Sequence, residues 1–197
     1  MATIWLFGAN IDTDQIVPGR YAPYMTSEAE LGKYPFIEAR PEFREQVRPG
    51  DVIVAGPNFG CGSSREYAPR ALVAVGIAAI IAPSFARIFY RNALNLGLRL
   101  FVADLAQSVR DREPVTLDLA RPALTTHDET FALPTPPDWV RQTWEEGGII
   151  GYYHRHGHLP LVESRGAACC APTAGCAPAA AGCAPAACCA PTVGREP

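Results

Sequence analysis

The chain has 197 residues, 48% of them hydrophobic, and a formal net charge of −3. That length suits one domain with an appendage, and the absence of a long Lys/Arg block argues against a nucleic-acid surface. The longest apolar stretch, VAVGIAAIIAP (73–83), is broken by Gly76 and closed by Pro83, too short to cross a membrane.

The opening MATIWLFGANIDTD lacks a basic leader, and its apolar run is too short for a signal peptide, so a cytoplasmic protein is expected. TIWLFG (3–8) is apolar, β-branched and aromatic, which predicts a strand. Residues 9–43 are rich in turn formers and predict a long loop with short helical turns, one at SEAELG with Ser27 as its cap. A loop of that length inside a compact domain points to function. VRPGDVIVAG (47–56) predicts a turn at Pro49-Gly50 followed by a strand.

After the glycine-rich segment GPNFGCGSSRE (56–66), residues 65–75 carry a helical pattern. Pro69 belongs in a first turn, so the helix starts either at Ser64 or with Pro69 as its first residue. IAAIIAP (77–83) predicts a buried parallel strand. SFARIFYRNALNLG (84–97) predicts an amphipathic helix capped by Ser84 and stopped by Gly97. LRLFVAD (98–104) predicts another strand, PVTLDLA (114–120) and ETFALP (129–134) a hairpin-like pair, and PPDWVRQTWEEGG (136–148) a last helix. The order predicts an α/β domain, a mixed sheet with a parallel βαβ core and right-handed crossovers.

The expected domain spans 1–165. Residues 166–197 are almost entirely Ala, Cys, Pro, Gly and Thr, with Val193 the one branched aliphatic, and are expected to be disordered. Six of the seven cysteines lie in this tail and only Cys61 in the domain, a distribution unlike a disulfide scaffold. The tail thiols suit soft metals, but no spacing matches an established zinc site.

The loop Gly60-Cys61-Gly62-Ser63-Ser64-Arg65 is the most informative stretch. A dinucleotide fingerprint fails because Arg65 stands where the third glycine belongs, and the Gly-Lys-Ser/Thr of a phosphate loop is missing. A plain turn explains the glycines but not two serines beside an arginine. Backbone N–H groups at a helix start attract an anion, and Arg65 can grip a carboxylate with two parallel bonds. In that positive field a serine oxygen loses its proton more readily, and it could then take a proton from the carbon beside the bound carboxylate. No His or Asp accompanies Ser63 in sequence, so a serine-hydrolase triad has no support.

NIDTDQIVPGRY (10–21), GPNFGCGSSREYAPRAL (56–72) and APSFARIFYRNALNLGL (82–98) resemble the small-subunit family of 3-isopropylmalate dehydratases, within the aconitase superfamily. The resemblance runs in order over about 1–153. It implies a swivelling β/β/α domain, Ser63 as catalytic base, and Ser64 and Arg65 as holders of a substrate carboxylate. Tyr67 stands where that family usually has His, a departure that leaves the serine pair untouched. The superfamily's [4Fe-4S] cluster needs three cysteines, and the domain has Cys61 alone. No cofactor is therefore expected in this chain, and the cluster is expected on a large partner subunit. The implied activity is a hydro-lyase of leucine biosynthesis, interconverting 2- and 3-isopropylmalate, small hydroxy diacids.

Residues after Arg20-Tyr21 help select substrate in that family. Here Ala22, Pro23, Tyr24 and Met25 offer a mainly apolar contact, without the extra arginine pair a distal carboxylate would want. Arg20 is a candidate for the substrate's edge and equally for a loop anchor. Asp12, Thr13 and Asp14 fit loop-fixing bonds better than a metal site, so no metal is assigned. His154, His156 and His158 could share a strand face and bind a transition metal, or simply be solvated. Two rivals stand beside the leading reading. One is a related subunit acting on homoaconitate, citraconate-type or dimethylmalate substrates; the other is a metal- or redox-responsive binding module.

Overall fold

A computed structural model describes residues 1–25 and 27–160. The expectations for residues 166–197, and for a boundary at 165, lie outside the described residues.

Four short apolar runs form a parallel sheet: β1 (Ala2–Phe7), β2 (Val52–Ala55), β3 (Ala79–Ala82) and β4 (Leu100–Val102). The sheet order is β4-β3-β2-β1-β5-β6-β7, in which β5 (Pro114–Asp118) joins β1 antiparallel. β2 and β3 are buried along their whole length because both sheet faces are covered, which is why they read as unbroken apolar runs. Alternation still sorts their side chains. Trp5, Ile53, Ile80 and Leu100 lie in register and share one core with α1 (Thr13–Ile16), α3 (Pro41–Gln46), α4 (Tyr67–Ala74) and α5 (Arg87–Asn95). Ile4, Val54, Ile81 and Phe101 face a second core with Val115, Leu124 and α6 (Asp138–Glu145). The steps β2–α4–β3 and β3–α5–β4 advance the same way across the sheet. Two right-handed crossovers must then place α4 and α5 on one face, and Ala68, Ala71 and Leu72 of the one do share the first core with Phe89 and Ala93 of the other.

The segment between β1 and β2 holds α1, a 3₁₀ turn at Gly19–Tyr24, α2 (Glu28–Leu31) and α3. Ser27 Oγ accepts the Glu30 N–H at 3.3 Å, the cap expected at that turn. Trp5 anchors the underside of this segment. Its indole N–H donates to buried Asp51 at 2.9 Å, while the guanidinium groups of Arg40 and Arg112 lie 4.8 and 3.9 Å from its ring centroid.

Five expectations need correction. The hairpin-like pair is a three-stranded meander, because β6 (Ala123–Thr125) intervenes and pairs with both β5 and β7 (Thr130–Ala132). Asp118 Oδ1 accepts the N–H groups of Ala120 and Arg121 and turns the chain early, into a strand too short to show its alternation. α5 starts at Arg87 with Ala86 as its cap, not at Ser84, whose Oγ accepts the Asn58 N–H at 2.8 Å instead. The last helix of residues 136–148 is α6 alone, which gives way to Gly147 and Gly148, both at positive φ, before α7 (Ile149–His156). His154 and His156 therefore sit in the last turn of a helix, and His158 follows Gly157 in the left-handed cap, so no strand face aligns the three. The start of α4 falls between the two expected positions, with Glu66 as cap and Pro69 still inside the first turn.

Candidate functional site

The loops leaving the C-terminal ends of β1, β2 and β3 meet, and these are the three motifs singled out in the sequence. Asn10 and Asn58, both at positive φ, join the first two loops by an amide bond of 2.9 Å. The second and third are joined by Phe59 N–H to Ser84 O at 3.0 Å and Ala86 N–H to Phe59 O at 2.9 Å. Gly60, at φ +77°, rests on the Phe89 ring; a Cβ there would lie 2.2 Å from Phe89 Cγ, so no side chain fits. Asn92 Nδ2 of α5 donates to Ser64 O at 3.3 Å.

Ser63 is held from the first motif. Its N–H donates to Thr13 Oγ1 at 3.0 Å, and the two hydroxyls share a hydrogen bond of 3.2 Å. Thr13 is 3% exposed, and its own N–H donates to Cys61 O at 2.8 Å. The Asp12 side chain completes a capping box with Gln15, so α1 exists as a rigid four-residue post under the loop. This is the loop-fixing role expected of Asp12 and Thr13.

Arg65 is held one residue further along the same post. Its NH1 donates to Asp14 Oδ1 at 3.0 Å, and the same oxygen accepts the Gly19 N–H at 3.0 Å. The guanidinium lies directly on Gly19, where a Cβ would come within 1.9 Å of NH1. The ion pair is exposed and therefore weak. Most of the guanidinium's donors remain available to an incoming anion. Ser64 is exposed beside it.

Ser63, Ser64 and Arg65 thus stand together, as their spacing demands, just before α4 and not within its first turn. Arg20 is directed elsewhere: it pairs with Glu38 and donates to the Tyr21 hydroxyl at 3.3 Å. The Tyr21 bond and Glu38 hold its pKa above the ordinary arginine value. Tyr21 in turn stacks on Tyr34 at 5.0 Å, so this end of the 3₁₀ turn is an anchor. Among the specificity residues, Tyr24 is 63% exposed, Pro23 exposed and Ala22 half-buried, while Met25 packs in the first core. Sequence reasoning had no way to assign Thr13 and Asp14 to Ser63 and Arg65, some 50 residues away. Their only signal was two polar residues at a turn just after a strand.

Fold and site together define an α/β domain that presents a hydroxyl and a guanidinium on a rigid loop, suited to holding a carboxylate and moving a proton. A family profile described as the aconitase C-terminal domain matches residues 9–101. The 3-isopropylmalate dehydratase small subunit 1 of Deinococcus radiodurans is 48% identical over 163 residues, which cover 83% of this chain and 92% of that protein. The homoaconitase small subunit of Thermus thermophilus is 47% identical over 161 residues, covering 81% and 99% respectively. The crystal structure of 3-isopropylmalate dehydratase (leuD) from Methanocaldococcus jannaschii superposes with a TM-score of 0.74 at 39% identity, covering 79% of this chain and 93% of that one. The chain belongs to the 3-isopropylmalate dehydratase small-subunit family of the aconitase superfamily.

Proposed function

We propose that this chain is the small subunit of a two-part hydro-lyase that interconverts 2-isopropylmalate and 3-isopropylmalate in leucine biosynthesis. Arg65 and Ser64 hold one substrate carboxylate, with the planar guanidinium fixing its orientation. Ser63 Oγ, having given its own proton to solvent, takes the proton from the neighbouring carbon, and the hydroxyl on the carbon beside it gains a proton from solvent and leaves as water. Water is released and an unsaturated diacid remains. Readdition with the opposite regiochemistry returns the proton from Ser63 to carbon and gives the isomer. Thr13 Oγ1 is a positioning group: it accepts the Ser63 N–H and shares a hydrogen bond with Ser63 Oγ, which sets the direction of the serine lone pairs.

Among the described residues Cys61 is the one cysteine, and no three His, Cys, Asp or Glu side chains converge as a metal site. These residues do not fit an iron–sulfur cluster, which we assign to a large partner subunit. Bound there, the cluster would supply Lewis acidity toward the leaving hydroxyl.

The observation that carries this reading is the pairing of Ser63 with Thr13 and of Arg65 with Asp14 on adjacent residues of α1. A homoaconitate-type substrate is the second reading, because a homoaconitase subunit is nearly as similar. The exposed part of the 3₁₀ turn favours an apolar group: Arg20 is spent on Glu38, and Pro23 and Tyr24 face outward. The test is steady-state kinetics of the chain reconstituted with its large subunit. Ser63→Ala should lower kcat by ~10²–10⁴-fold with KM little changed, whereas Arg65→Lys should raise KM as well as lower kcat. Near-normal turnover by Ser63→Ala would move the base to the partner, and turnover by this chain alone would end the two-part reading. A panel of hydroxy diacids separates the substrates. Failure to copurify with a large iron–sulfur protein would favour a binding module.

A further inference from the structure

At the N-terminal ends of β3 and β4, the edge of the sheet opposite Ser63, lies a cleft of about 380 Å³. Val73, Leu98 and Trp144 form its apolar walls, the backbones of Gly97 and Gly147 narrow it, and Arg99 is its one charged residue. Arg99 is poorly used by the fold. Among the described residues one of its five N–H donors is engaged, NH1 with Ala78 O at a long 3.4 Å, and buried Nε has no acceptor. Among the described residues no carboxylate pairs with it. Burial pulls the guanidinium's pKa below its ordinary value, so the site disfavours the charge it carries. The indole N–H of Trp144 is likewise buried with no acceptor among the described residues.

A half-buried cation with unspent donors forfeits hydration and recovers little from the protein. Packing alone would be served better by an apolar side chain of the same volume. A single cation among apolar walls suits a singly charged head on a hydrocarbon body, and is a poor match for a doubly charged phosphate.

We propose that this cleft binds a small monocarboxylate with an apolar body, its carboxylate held by the terminal guanidinium nitrogens of Arg99 and its body lying against Val73, Leu98 and Trp144. The site is separate from the Ser63 loop and stands or falls independently of the reaction proposed there.

The test is NMR titration of the isotopically labelled full-length chain with 4-methylpentanoate, 4-methylpentanamide and inorganic phosphate, read at the Trp144 indole resonance. The acid should shift that resonance saturably, while the amide and phosphate leave it in place at the same concentrations. Arg99→Gln should weaken the acid at least about tenfold, the loss of a charge-assisted bond pair. Val73→Glu adds a tethered carboxylate at a position already 40% exposed, and should abolish the response in a chain that still folds. No saturable shift, an equal response to amide or phosphate, or unchanged affinity in either folded variant would overturn the proposal.

Discussion

Thr13→Val separates the positioning of Ser63 from its chemistry. Valine keeps the shape of threonine in a site that is 3% exposed, but removes the oxygen that accepts the Ser63 N–H at 3.0 Å and meets Ser63 Oγ at 3.2 Å. Each such bond contributes ~1 kcal/mol net, and leaving its partner unsatisfied costs ~1–3 kcal/mol where water cannot reach. Ser63 is half-buried, so water recovers part of the loss and a destabilisation of ~1–2 kcal/mol follows. For a chain of this size that lowers Tm by roughly 3–8 °C. The rate should suffer more. A serine oxygen released from the Thr13 hydroxyl no longer points at one carbon, and kcat should fall by ~10–100-fold. KM should stay within about twofold, because Arg65 is held through Asp14 and not through Thr13. Thr13→Ser, which restores the hydroxyl and deletes only a methyl, should recover most of kcat. The assays are thermal melts of the isolated chain and kinetics with the large subunit. If Thr13→Val lost Tm yet kept kcat, or if Thr13→Ser were as impaired as Thr13→Val, Thr13 would be a packing residue and the argument would be wrong.

Burial would raise the pKa of Asp111, but hydrogen bonds from Arg40 and the Leu6 N–H outweigh it and hold the carboxyl below its usual 3.8. Its stabilising effect is therefore complete above that value and lost as pH falls through the lower, folded-state pKa. Asp111→Asn should lower Tm at neutral pH, with a penalty that shrinks as the pH drops well below 3.8; a pH-independent penalty in melts across this range would refute the assignment. We also expect truncation after Ser164 to change Tm and reconstituted activity little, since the removed sequence holds one branched aliphatic residue, Val193, and so little burial to lose. A large drop in either would show that the tail contributes to the folded unit.

The parallel strands were legible because burial on both faces leaves apolar runs such as AIIA at 79–82, bounded by glycine and proline. Ser63, Ser64 and Arg65 were legible as a group because consecutive residues on a glycine-rich loop must stand together. Features that depend on distant partners were not. Ser84 looked like a helix cap, and only the folded chain shows its Oγ taken by Asn58. β6 was hidden because Leu124 is the one fully buried side chain among its three residues, too little alternation to register. α7 was hidden because Gly147 and Gly148 announce an end, and nothing local says that the chain must bend there; Gly148 has to be glycine because Asn95 O lies where a Cβ would be, at 2.1 Å.

Adjacent residues of the four-residue α1 divide the labour: Thr13 faces the serine, and Asp14 faces both the arginine and the start of the 3₁₀ turn. The 3₁₀ turn therefore hangs from the scaffold at Pro18-Gly19 and the Arg20–Glu38 contact, without bearing on the serine itself. Ala22, Pro23 and Tyr24 can be exchanged for others while Ser63 keeps its place, whereas Met25 is tied into the first core. With the roles proposed above, such an arrangement would let a lineage change which diacid it accepts through a handful of substitutions in one short turn, with the proton-transfer step inherited unaltered. Grafting residues 22–25 between subunits of different preference is then a small piece of surgery, and not a redesign.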